Sequence, residues 1–381
     1  MTKSDSKGIQ SYLFDLAKII DGASNSDYDR VVAYTEQLSN RLKDDGQPEA
    51  AKRLLEILSR SKAKTVSLAR ATGTSRSVPV DSESRMSLAT EESWEIEQAP
   101  VYLSQEVANE VERFLRYFRA ADQLIASGVG VSPSMLVYGP PGCGKTQLAR
   151  HIAAELKLPL ITGRSDGMIS SYLGSTAKNL RSLFEHAMSR PCVLFLDEFD
   201  AIAKMRDDGR ELGELKRVVI SLLQNIDAMG KDHVLIAATN HEHLLDPAIW
   251  RRFAFKLKLS EPADEARLQM LKSFLRDFAT SDEVEILVAL TAGMNGAQIK
   301  QTAEDAIREA VLEGSTRVSL PRMVDSILAA SDHSMRAMPE SDKIKAVRDR
   351  LPKQFTQRRL AKVFDISQGQ VSKMLSAAGD K

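Results

Sequence analysis

Residues 134–148 read SMLVYGPPGCGKTQL, and their order decides the fold. Met135 to Tyr138 is a short apolar run with β-preferring Val and Tyr, which predicts a buried strand. Gly139, Pro140, Pro141, Gly142, Cys143 and Gly144 cannot extend that strand. They form a loop whose glycines let the backbone approach a ligand closely. Lys145 and Thr146 then open a helix expected over 146–156, with Leu148, Ile152 and Leu156 at helical spacing. A strand, a Gly-x4-Gly-Lys-Thr loop and a helix in that order make a phosphate-binding loop. Backbone N–H groups at the helix start cradle anionic oxygens. Lys145 would reach the outer phosphates of a nucleotide, and Thr146 would offer its hydroxyl to Mg²⁺. A chance glycine turn would need neither the flanking strand nor the helix.

Downstream, 158–162 reads as a strand and 176–188 as a helix with Leu180, Leu183, Phe184 and Ala187 inward. Residues 191–196 are an apolar strand ending in Asp197-Glu198. Carboxylates at a strand's carboxyl end sit where an open α/β sheet binds its ligand. Asp197 would hold Mg²⁺ and Glu198 would polarise an attacking water; alone, the pair would read as ordinary surface charge. A helix over 212–229 precedes the strand 233–238, which ends in Thr239-Asn240. Asn240 is thereby placed to reach the terminal phosphate or orient the water. Alternating strands and helices imply an α/β fold with a mostly parallel sheet and helices on both faces.

The chain's 381 residues allow two or three domains. Its formal net charge of +0 excludes a global field drawing it to nucleic acid or membrane. Two cysteines, Cys143 and Cys192, are too few for a disulfide framework and fit a reducing cytosol. The first residues hold no apolar signal core, and no run is long enough to cross a membrane. Residues 11–60 carry three apolar helical stripes punctuated by Asp21-Gly22 and Asp45-Gly46, which suit a small helical bundle, a docking module, or both. Residues 71–93, rich in Ser and Thr, read as a mobile linker. A helix is expected to resume at an N-cap, Ser104.

These residues resemble the AAA family of P-loop ATPases. GPPGCGKT at 139–146 resembles its Walker A, LFLDEFDAI at 194–202 its Walker B, and Asn240 falls at its first sensor. LLDPAIWRRFAFKLKL at 244–259 resembles the second region of homology, and TAGMNGAQIKQTAEDA at 291–306 the start of a lid helix. The resemblance implies a three-layer α/β sandwich with a helical lid. It implies ATP and Mg²⁺ as cofactors, with nucleotide contacts from residues 139–146, Gln147, Gly296 and Ala297. It makes Arg251 and Arg252 arginine fingers acting on a neighbour in a ring, expected to be a homo-hexamer. As a basic pair on a loop, they would instead pair with Asp246. Tyr172 and Leu173 fall where unfolding relatives carry a pore loop that grips a protein substrate; the alternative is a Tyr packed locally.

Residues 355–375, FTQRRLAKVFDISQGQVSKML, resemble a helix-turn-helix DNA-binding motif. Leu360, Ala361, Val363 and Phe364 would face inward, Asp365-Ile366 would turn, and Ser367 would cap the second helix. Gln368, Gln370, Ser372 and Lys373 would enter the major groove. From residue 341 onward ten basic residues stand against four acidic ones, a local positive excess suited to phosphates. A plain helical hairpin is the alternative.

The expected organisation is an N-terminal helical domain (1–70), a flexible linker (71–98), a large nucleotide-binding domain (99–260), a helical lid (261–335) and a C-terminal helix-turn-helix domain (336–381). The expected function is that of a cytoplasmic ATP-driven remodeller of a partner protein, tethered to or regulated by DNA. One alternative is a DNA-associated switch that oligomerises on DNA and threads no polypeptide. Another is a docking scaffold with vestigial hydrolysis, against which Glu198 argues.

Overall fold

Every apolar run that ends in a chemically useful residue lies in one sheet. The computed structural model describes residues 5–24, 28–58, 78–81, 85–168, 173–203, 212–331, 338–350, 352 and 355–377. Among the described residues six strands are present: β1 (Ala89–Glu92), β2 (Ser134–Tyr138), β3 (Leu160–Gly163), β4 (Val193–Leu196), β5 (Val234–Thr239) and β6 (Phe255–Lys258). Their spatial order is β1-β3-β4-β5-β2-β6. β1 runs antiparallel to β3, and the other pairs are parallel. β4 and β5 are buried at every position. That is why they read as unbroken apolar runs, because helices cover both faces of such a sheet. Lys145–Leu156, Leu173–Met188 and Leu212–Ala228 connect β2 to β3, β3 to β4 and β4 to β5, the crossover helices that parallel strands of one sheet require.

Two compact units divide the chain. One comprises described residues within Met1–Pro100, Glu110–Tyr138 and Thr146–Lys258. Its core sets Leu136, Ile161, Leu180, Phe184, Leu194, Phe199, Leu222 and Leu235 together. Its N-terminal helices, Asp5–Ser24, Tyr28–Asp44 and 48–58, keep a small apolar cluster of their own around Leu38, Leu42 and Ala51. Their reach to the sheet-bearing part is largely polar. Tyr34 donates to Asp232 (3.5 Å), Lys18 pairs with Asp232 (3.9 Å), and Arg41 joins Asp15 (3.1 Å) to Asp122 (3.7 Å). Asp44 pairs with Lys157 (3.4 Å), and Lys231 with Asp122. Burial pushes the Asp15 carboxyl up to about 6 against the pull of Arg41 and Lys231. It does the same to Asp232, up to about 6, against Lys18 and Lys231.

The other unit comprises Val101–Asn109, Gly139–Lys145 and described residues within Leu259–Lys381. Four helices over the stretch expected to form a lid, Asp264–Leu275, Ser281–Leu290, Gly296–Leu312 and Leu320–Ser331, are followed by Glu340–Arg350, Gln357–Phe364 and Gln368–Ala377. Leu287, Ile299, Val324 and Leu328 of the lid share one core with Ile344, Val347, Phe355, Leu360, Val363, Phe364 and Val371. Lys343–Asp325 (2.8 Å) and Lys362–Asp282 (3.1 Å) add ion pairs. The segment after residue 339 is expected to stand apart; instead its apolar faces complete the lid's core. Asp365 adopts φ 53°, ψ 42° at the turn, a left-handed conformation that Asp tolerates better than most residues.

Two further differences come from edge strands. Ala89–Glu92, expected within the linker, forms β1, with Leu88 and Ala89 buried and Val80 bridged to Ser87. Residues 71–77 lie outside the described set. β6, Phe-Lys-Leu-Lys, lies in a stretch for which no strand is expected, and only its Leu257 is buried.

Candidate nucleotide site

Beyond the ends of β3, β4 and β5, the sheet unit gathers hydroxyls, carboxylates and an amide. Thr146 Oγ1 donates to Asp197 Oδ2 at 2.8 Å. The half-buried Asp197 also accepts from the Glu198 amide at 2.9 Å. Glu198 is exposed and left-handed, with φ 50°. Such a conformation costs roughly 1–3 kcal/mol in a non-glycine residue and concentrates at functional sites. Ser165 Oγ donates to Glu198 Oε2 at 3.1 Å. Strand register explains that meeting: Gly163 pairs with Leu196, and Ser165 and Glu198 each lie two residues beyond.

At the end of β5, Thr239 Oγ1 donates to Asp200 (2.7 Å) and accepts from the His241 amide (2.9 Å). Asn240 Oδ1 is buried with no hydrogen-bond partner among the described residues. A buried orphan acceptor is costly, which suits a donor arriving with a ligand.

Arg251 and Arg252 end the short helix Pro247–Arg252 and are both exposed. Their environments differ. Arg252 Nε pairs with Asp227 at 2.8 Å, whereas no ion pair is found for Arg251 among the described residues. Neither pairs with Asp246, whose carboxylate caps the helix by accepting from the Ala248 amide at 2.7 Å. Gln147 directs its amide to the Pro100 carbonyl at 3.2 Å, and His151 Nδ1 lies 3.0 Å from the Ala99 carbonyl.

Within the other unit, the glycine loop has φ of 141°, 77° and 91° at Gly139, Gly142 and Gly144. A Cβ on Gly139 would lie 1.9 Å from the Leu259 carbonyl oxygen, so no side chain fits there. Lys145 is buried, and its Nζ donates to the Gly139 (2.7 Å) and Pro140 (2.8 Å) carbonyls. The next two carbonyls face the lid: Pro141 accepts from Asn295 Nδ2 (3.3 Å) and Gly142 from the Ala297 amide (3.1 Å). Gly296 packs its Cα side toward the Gly142 carbonyl and Met270. Burial pushes the Cys143 thiol up, Lys145 opposes, and Glu261 adds to the rise.

The donor chemistry fits a nucleoside triphosphate with Mg²⁺. Within the sheet unit, Thr146 and Asp197 offer hard oxygens and Asn240 an unused acceptor; within the other unit, the loop by itself offers an ammonium and backbone amides. Tyr172 lies outside the described residues. Leu173 begins the helix Leu173–Met188, and its side chain is likewise undescribed. In the tail, Gln368 and Lys373 are exposed and Ser372 is half-buried. Gln370 is exposed too, but its Oε1 accepts from the Ser367 amide at 2.8 Å while Ser367 Oγ accepts from the Gln370 amide at 3.2 Å. That capping box occupies the carbonyl end expected to face a base. Sequence reasoning missed Ser165, Asp227 and Asn295. Only Asn295 carried a local signal, because Asn followed three residues later by Gln opens a helix as a capping box.

Among protein families, residues 135–261 match the ATPase family associated with various cellular activities (AAA). The chain is 44% identical over 204 residues to an uncharacterised AAA family ATPase, y4kL, of Sinorhizobium fredii, covering 54% of this chain and 62% of that one. It is 31% identical over 243 residues to the ATP-dependent zinc metalloprotease FtsH 3 of Sphaerobacter thermophilus (61% of this chain, 50% of the relative). It is 33% identical over 235 residues to the 26S proteasome regulatory subunit 6A of Schizosaccharomyces pombe (59% and 54%). The chain thus spans 50–62% of the length of these relatives. The similarity to the AAA family thus falls on residues 135–261, the stretch that carries the glycine loop, the carboxylate pair and Asn240.

Proposed function

We propose that the chain hydrolyses ATP with Mg²⁺ and spends the cycle on remodelling a partner protein. The observation that carries the hydrolytic reading is the 2.8 Å bond from Thr146 to Asp197, with Glu198 next in sequence and oriented by Ser165. Thr146 and Asp197 would hold Mg²⁺, which neutralises phosphate charge when bound. Glu198 accepts a proton from water as it attacks. Lys145 leaves its two carbonyls for phosphate oxygens, and Asn240 uses its orphan acceptor to orient the water. Gly296 and Ala297 line the nucleotide from the lid side.

Arg251, exposed and without an ion pair among the described residues, supports an arginine finger serving a neighbouring subunit; Arg252 shares that role only if it leaves Asp227. A finger of this kind is worth 10³–10⁵ in rate, so the active form is a homo-oligomer, a hexameric ring. A protein substrate is supported by the names of two relatives, a protease and a proteasome subunit, and Tyr172 and Leu173 would grip it. The two free cysteines fit a cytoplasmic setting. No helix among the described residues is long and apolar enough to cross a membrane.

DNA is the second reading, favoured by the tail's basic excess and by the exposed Gln368 and Lys373. Ser372 would join them; Gln370 could contribute only its amino group without breaking its cap. One comparison separates the readings: ATP turnover of wild type and Tyr172→Ala, each with an unfolded protein and with duplex DNA. The remodeller predicts stimulation by protein that Tyr172→Ala loses while basal turnover survives. Stimulation by DNA alone, indifferent to Tyr172, supports the DNA switch and contradicts remodelling.

A further inference from the structure

The phosphate loop divides its four leading carbonyls into two pairs. Those of Gly139 and Pro140 belong to peptides whose nitrogens are Pro140 and Pro141. Such peptides have no N–H to offer a ligand, and their oxygens serve Lys145 instead. The carbonyls of Pro141 and Gly142 belong to peptides whose nitrogens do carry hydrogens. In a planar trans peptide, C=O and the following N–H point in opposite directions. Whatever holds the Pro141 carbonyl therefore aims the Gly142 N–H, and whatever holds the Gly142 carbonyl aims the Cys143 N–H. The holders are Asn295 Nδ2 at 3.3 Å and the Ala297 amide at 3.1 Å.

Asn295 does this with half of its side chain. Its Oδ1 caps the helix Gly296–Leu312 by accepting from the Gln298 amide (2.9 Å), and Gln298 Oε1 returns a bond from the Asn295 amide (2.9 Å). The amide nitrogen is left for the loop. The fit is close: a Cβ on Gly142 would come within 2.7 Å of the Asn295 side chain.

We propose that Asn295 is a positioning residue for nucleotide phosphates, acting through the Pro141 carbonyl to aim the Gly142 N–H at the ligand. This rests on the nucleotide-site reading above and adds a residue to it. The cap and the strap can be separated, because Ser caps a helix nearly as well as Asn but is too short to reach Pro141.

The test uses the full chain and measures ADP and adenosine affinity by calorimetry, with thermal unfolding alongside. Asn295→Ser should unfold near the wild-type temperature and bind ADP about fivefold more weakly, the weight of one neutral hydrogen bond, with adenosine unaffected. Asn295→Asp, which also keeps the cap but turns an oxygen toward the carbonyl, should weaken ADP further. Gln298→Ala perturbs the cap without touching the strap and should leave ADP affinity unchanged. Wild-type ADP affinity in Asn295→Ser overturns the proposal. So does an equal loss for adenosine, or an equal loss in Gln298→Ala, since either would make Asn295 a matter of helix integrity. Wild type that binds no ADP would instead remove the nucleotide reading itself, and this inference with it.

Discussion

Thr146 and Asp197 stand 51 positions apart and meet through a 2.8 Å hydrogen bond. One opens the helix after the glycine loop, and the other ends β4. Their bond ties the loop's helix to the carboxylate pair and sets two oxygen donors side by side. Thr146→Ala should raise the Mg²⁺ concentration needed for half-maximal turnover about tenfold to a hundredfold. Steady-state turnover against Mg²⁺ at saturating ATP checks this; an unchanged Mg²⁺ dependence would take Thr146 out of the metal site.

Ser165 orients Glu198 across 3.1 Å. Ser165→Ala should lower kcat about tenfold, the scale of a hydrogen bond to a charged group, with KM for ATP little changed. A rise in KM at constant kcat would mean that Ser165 binds nucleotide instead of holding the base.

Arg251 and Arg252 should part ways. Arg251→Ala is expected to cost at least 10³ in turnover, and Arg252→Ala far less, because Arg252 already spends its charge on Asp227. Mixing Arg251→Ala with Glu198→Gln should restore some activity, since mixed interfaces can pair an intact arginine with an intact carboxylate. Equal losses in the two arginine variants would erase the distinction.

How much of this is legible in the sequence depends on sequence distance. That the loop, the carboxylate pair and Asn240 each follow a strand was readable because each ends an apolar run, and strand ends are where such sheets bind ligands. β1 and β6 were not: both are edge strands, where Thr90, Glu91, Lys256 and Lys258 face outward and break the apolar signature. Ser165 depends on the register of β3 against β4, and Asn295 meets Pro141 across 154 positions. Neither relation follows from local spacing.

Docking of the N-terminal helices should depend on pH. Asp15 and Asp232 rise to about 6 when buried, so the docked state holds more protons than the released state between about pH 4 and pH 6. Docking is therefore favoured as pH falls through that window, and the full cost of two buried charges applies above it. Asp15 faces Arg41, Asp122 and Lys231, while Asp232 faces Tyr34, Lys18, Lys231 and Asp122. Hydrogen exchange in residues 28–44 should be slower at about pH 5.5 than at about pH 7.5 after correction for intrinsic rates. An Asp15→Asn, Asp232→Asn double variant should lose that difference; protection that rises with pH would reverse the assignment.

The central claim is hydrolysis at Glu198, and one pair of measurements meets it directly: ATP affinity and single-turnover hydrolysis in wild type and Glu198→Gln. Replacing carboxylate by amide keeps the shape and removes the base. The account predicts ATP affinity within about threefold of wild type and hydrolysis reduced at least a hundredfold, on the scale of a lost general base. Hydrolysis at the wild-type rate in Glu198→Gln would contradict it.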